Sequence, residues 1–177
     1  METLKIILHT YGNEQCLQNV VNYPIGKDQV LCKGFGINPY NSYEAYMQFR
    51  KVTEFWGNQD KTPCFHYMAS FSKKTAPTAE TAMKLTKDIF ADITASHLTA
   101  MGVHSKERED SLNHTHTVVN PTNNFDGSML YGDYKTNYAL AQRMADVTGQ
   151  PTKLIVYTEN GEEKQCPMIF VPHNTDE

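Results

Sequence analysis

Two histidines that alternate with threonine and run into paired valines, His114-Thr-His116-Thr-Val-Val119, constrain this chain more than any other stretch. β-Branched neighbours favour an extended backbone, and side chains two positions apart on a strand share a face. His114 and His116 are therefore expected side by side, close enough to share one divalent ion. His104 ends an earlier apolar run, 98–103, and would supply a third nitrogen if the strands flanking the charged segment 105–113 pair with each other. Three histidines with open coordination positions match a catalytic metal site better than a closed structural one. Imidazole suits Zn, Mn, Fe, Ni or Cu, so the ligand type alone does not name the metal.

The remaining periodicities predict an α+β fold. Strands are expected at 4–8, 29–32, 64–71, 98–103, 115–120, 153–157 and 165–171. Helices are expected after Asn13, over 42–56, after Thr78, and from Asp133 or Thr136 to Gly149. Glu159-Asn-Gly161 reads as the turn of a C-terminal hairpin. The expected architecture is a central antiparallel sheet of about five strands with helices packed on one face. No linker, repeat or low-complexity segment interrupts residues 1–177, which read as a single domain.

The first apolar run, 4–8, is too short for a signal peptide or a membrane span, so a cytoplasmic setting with no membrane partner is expected. Cys16, Cys32, Cys64 and Cys166 form no C-x-x-C pair and read as reduced thiols. The formal net charge of −4 weighs against broad phosphate binding and leaves room only for a local basic face. Lys27, Lys33, Arg50, Lys73 and Lys74 are the cations available for it.

A metal that polarises a phosphodiester still needs a nucleophile. Tyr23 sits where a helix meets Pro24-Ile-Gly26, with Lys27 four residues on. Tyr11, two residues after His9, is its main competitor. A phenol is nearly neutral at pH 7 and reacts only with a base or a polarised target.

Several segments then resemble one family, the plasmid mobilisation relaxases of the His-hydrophobic-His endonuclease superfamily. His66-Tyr-Met-Ala-Ser-Phe71 resembles the family's His-x-x-x-Ser-Phe strand. Pro77-Thr-Ala-Glu80 is similar to the helix start that follows it. His104 with His114-Thr-His116-Thr-Val-Val-Asn120 resembles the three-histidine motif, and Asn123-Asn-Phe-Asp-Gly127 the turn after it. Val20-Val-Asn-Tyr-Pro-Ile-Gly-Lys27 resembles the segment that carries the relaxase tyrosine. The chain departs from the pattern in its longer His104–His114 gap, in Lys106 where an Asp is usual, and in Pro24 after the tyrosine.

The resemblance implies a metal-dependent single-strand DNA endonuclease and strand transferase. Such an enzyme nicks a transfer origin in plasmid mobilisation or conjugation and leaves a covalent 5′-phosphotyrosine. His104, His114 and His116 become the metal ligands and Tyr23 the nucleophile. His66 and Asn120 become residues that support a ligand or touch phosphate, and Lys27 a DNA contact. Mn or Mg is the first expectation for the ion, with Zn and Ni as alternatives. The implied partners are single-stranded or supercoiled DNA and accessory relaxosome and coupling proteins. The alternatives are a non-catalytic relaxase-like DNA-binding module and an unrelated metallohydrolase.

Overall fold

Strand β1 (Glu2–Leu8) buries Glu2, Leu4 and Ile6 while Thr3, Lys5 and Ile7 turn to the other side, the period-two pattern of a strand. Helix α1 (Glu14–Asn22) starts where the Asn13 side chain accepts the Cys16 N–H at 3.0 Å. It runs directly into a 3-10 turn, Tyr23–Ile25, because Pro24 has no N–H to continue the α-helical ladder. Strand β2 (Gln29–Phe35), helix α2 (Ser42–Phe55) and strand β3 (Phe65–Phe71) follow. Helix α3 (Ala79–Ile89) is capped by Thr78, and a short helix α4 (Ala91–Thr94) succeeds it. Strands β4 (Thr99–His104) and β5 (Asn113–Val119), helix α5 (Tyr134–Thr148) and strands β6 (Thr152–Thr158) and β7 (Met168–Phe170) complete the chain. Asp133 is the cap of α5, accepting the Thr136 N–H at 3.1 Å, and Gly149 ends it at φ +66°. This computed structural model describes residues 1–26, 29–104 and 113–173.

The strands form one sheet in the order β2-β4-β5-β3-β1-β6-β7. Its pairings are antiparallel except β1 with β6, which run parallel from Glu2↔Thr152 to Leu8↔Thr158. The α+β reading and the C-terminal hairpin hold, as β6 and β7 pair antiparallel. The expectation of about five strands in a purely antiparallel sheet is corrected to seven strands in a mixed one. The expectation of helices on one face is corrected as well. Helices α3 and α5 pack on the face of Leu4, Tyr67, Met101, Val103 and Val119. Helices α1 and α2 cover the opposite face, against Ala100 and Val118. Every residue of β4 is buried, which requires cover on both sides. Among the described residues no helix is long and apolar enough to cross a membrane.

Candidate metal centre and tyrosine

The sheet face under α1 and α2 continues, beyond Val118 and Ala100, into a row of histidines. His104 stands directly opposite His114 across the β4–β5 pairing, and Gly102 opposite His116. Each of His104, His114 and His116 offers a ring nitrogen, and these atoms lie within 4.8 Å of one another. His104 and His116 are buried and His114 is half-buried. The expected strand register therefore does bring the three imidazoles together.

His66, on β3, joins them: its Nε2 lies 2.7 Å from Nδ1 of His116. Burial, with His9 and His104 nearby, pushes the His66 imidazole down to about 3. Burial, with His66, His104 and His114 close by, pushes His116 down to about 2. Both rings are neutral near pH 7, the state in which imidazole binds a metal. The donor set thus fits a divalent ion, with Nε2 of His116 left for it by the His66 bond.

Tyr23 lies over this cluster. Its ring centroid is 4.7 Å from that of His116, 5.0 Å from His104 and 5.9 Å from His66. It remains 48 % exposed, so it is open to solvent above the histidines. A cleft of about 450 Å³ opens beside the ring, bounded by His9, Cys16, Asn19, His116 and Glu159. Tyr11 is placed differently. Its hydroxyl donates to the Cys64 carbonyl at 3.2 Å and contacts Cys64 Sγ at 3.0 Å, and burial pushes its ionisation far above the usual phenol range.

Two residues that sequence reasoning passed over hold Tyr23 in position. The Gln29 Nε2 donates to the Tyr23 carbonyl at 2.9 Å and also contacts Nε2 of His104. Gly102 lies beneath the 3-10 turn, and a Cβ there would sit 1.6 Å from the Pro24 carbonyl oxygen. Only a residue without a side chain lets the turn rest on the sheet at this height. Gly102→Ala is expected to lift the turn, costing roughly 1–3 kcal/mol of stability. Denaturant melts of the variant check this; wild-type stability would show that the turn does not depend on the missing side chain at Gly102.

Asn120 does not reach the site, which corrects its expected role. It lies four residues beyond His116, roughly 13 Å along an extended chain. Its Nδ2 donates to the Phe49 carbonyl at 3.0 Å and to Thr53 Oγ1 at 3.2 Å, and its Oδ1 accepts the Thr122 N–H at 2.9 Å. Asn120 thereby ties the last turns of α2 to the sheet. Arg50 is engaged by Glu54 at 2.7 Å and Glu14 at 3.5 Å. Lys27, and the acidic residues between His104 and His114, fall outside the described residues.

The chain belongs to the relaxase family: residues 21–150 match the family model "Relaxase: MobA/VirD2-like, nuclease domain". The structure is also similar to a conjugative relaxase, TrwC, in its metal-bound complex with oriT DNA. That likeness has 15% sequence identity and a TM-score of 0.43, over 94% of this chain and 75% of that one. No curated protein sequence matches the chain.

Proposed function

We propose that this relaxase-family chain is a metal-dependent, single-strand DNA endonuclease and strand transferase. It would nick a transfer origin in plasmid mobilisation or conjugation, with Tyr23 as nucleophile and His104, His114 and His116 as metal ligands. The observation that carries this reading is the height and reach of Tyr23, its ring 4.7 Å from His116 and still open to solvent. Tyr11 is buried against Cys64, which favours Tyr23 between the two.

In the proposed reaction Tyr23 Oη forms a bond to the scissile phosphorus and the bond from phosphorus to the 3′-oxygen breaks. The phenol loses one proton and the freed 3′-oxygen gains one, so the step is a transesterification that conserves the phosphodiester as phosphotyrosine. A bound divalent ion would supply Lewis-acid polarisation of the phosphate. Pro24 and Gly102 fix the height of the tyrosine, and Gln29 holds its backbone carbonyl. His66 supports His116 through its 2.7 Å bond.

Imidazole suits Zn and Ni, whereas Mn and Mg favour oxygen, so Mn or Mg would be held here by the three nitrogens together with phosphate or water oxygens. The partner is single-stranded or supercoiled DNA, joined by accessory relaxosome and coupling proteins in the cytoplasm. Lys27, four residues after the tyrosine in sequence, remains the proposed DNA contact.

The test is incubation with supercoiled DNA that carries the sequence flanking the gene, with Mn or with a chelator. Nicked circles and a denaturant-resistant protein–DNA band that both need metal are expected. DNA binding without either product, in Mn, Zn and Ni alike, would contradict the proposal and favour a non-catalytic DNA-binding module.

A further inference from the structure

The His66–His116 bond is the inner part of a longer chain of contacts. His66 Nδ1 lies 2.8 Å from Nε2 of His9, just past the end of β1. His9 Nδ1 in turn lies 3.2 Å from Oε2 of Glu159, just past the end of β6. The His9 and His66 ring centroids are 5.1 Å apart with only 7° between their planes. With nitrogens in contact at that separation, the rings meet edge to edge in a near-common plane instead of stacking. That alignment directs an N–H of one at the lone pair of the other.

With one proton on each ring, the donor and acceptor roles along this chain follow from its outer end. The Glu159 carboxylate is held below its usual range first by the Thr10 backbone N–H, and also by the Thr10 hydroxyl and His9. An ionised carboxylate only accepts, so His9 must donate from Nδ1. With a single proton on His9, its lone pair lies on Nε2, and His66 donates to it from Nδ1. Neutral His66 accepts on Nε2, so the proton of His116 must be on Nδ1. The lone pair of His116 is thereby left on Nε2, away from His66. Starting instead from a metal on His116 Nε2 yields the same protons in reverse order.

We infer that Glu159 and His9 are positioning residues that, through His66, set the tautomer and orientation of His116 for metal binding. This rests on the proposed metal role of His116. A hydrogen bond on the far nitrogen of a ligand histidine fixes its ring and raises its basicity. The parallel β1–β6 pairing makes the chain possible, because it continues past Leu8↔Thr158 as the Glu159 N–H donates to the Leu8 carbonyl at 2.8 Å.

The experiment is long-range ¹H–¹⁵N correlation NMR of the histidine-labelled, metal-free protein, with Mn and Zn affinities measured by calorimetry. Wild-type His116 and His66 are expected as Nδ1–H tautomers. His9→Phe keeps a ring but removes both nitrogens, and Glu159→Leu removes the terminal acceptor. Each should turn His116 into a mixture of tautomers and weaken metal binding about tenfold; His9→Phe also strands Nδ1 of buried His66 and so lowers stability, whereas Glu159→Leu at the exposed end leaves thermal unfolding little changed. A merely structural contact would shift unfolding without moving the tautomer. Wild-type His116 protonated on Nε2 would overturn the inference without any variant. So would folded variants that keep both the tautomer and the affinity. A wild-type protein with the expected tautomers but no metal affinity would overturn the metal-site proposal and leave the relay itself standing.

Discussion

Tyr23→Phe is expected to leave the protein folded and to remove the covalent adduct altogether. Nicking should fall by on the order of 10⁴-fold or more, as when other enzymes lose their nucleophile. The change deletes one oxygen from a side chain that is 48 % exposed, so stability should shift by no more than about 0.5 kcal/mol. Metal affinity should be unchanged, because the phenyl ring retains its contacts with His104 and His116. A denaturing gel for the adduct, run beside a thermal melt, separates the two effects. An adduct that persists in this variant would transfer the role to another residue.

His116→Ala carries the second large effect, and it has two parts. Loss of one imidazole of three should weaken Mn or Zn binding by on the order of 100-fold or more, because the remaining pair no longer encloses the ion. The substitution also strands Nε2 of His66, which is buried and bonded to His116 at 2.7 Å. An unsatisfied buried group costs roughly 1–3 kcal/mol. A stability-neutral loss of metal is therefore not expected. Calorimetric titration and urea denaturation of the metal-free protein measure the two parts independently. Unchanged affinity would remove His116 from the ligand set.

The local part of this architecture was legible in the sequence. Asn13 and Thr78 cap the helices they were expected to start, Asp133 is the cap of the two candidates for the last helix, and the alternation at His114 and His116 places both rings on one face. The two-sided cover of the sheet also left a trace that a one-face reading overlooked. The run from Leu98 to Val103 is nearly all apolar or small and does not alternate, as befits a strand buried on both faces. The parallel pairing of β1 with β6 left none, since no local pattern encodes a contact across about 150 residues. For the same reason His9 and Glu159 read as a stray histidine and a turn residue. Gly102 carries no local signal of its use, which emerges only when Pro24 is seen resting on it. Asn120 misled for the opposite reason: its place in the motif suggested chemistry, whereas its amide is spent on α2 and Thr122.

The most direct test of the central claim is mass spectrometry of the covalent product. Wild-type protein would be reacted with Mn and origin-bearing DNA, digested with nuclease and trypsin, and its peptides sequenced. A nucleotide joined through its 5′-phosphate to the peptide that contains Tyr23 is expected, and is expected to be absent when metal is chelated. A nucleotide on Tyr11 or on a histidine, or a nicked product with no modified peptide, would contradict it.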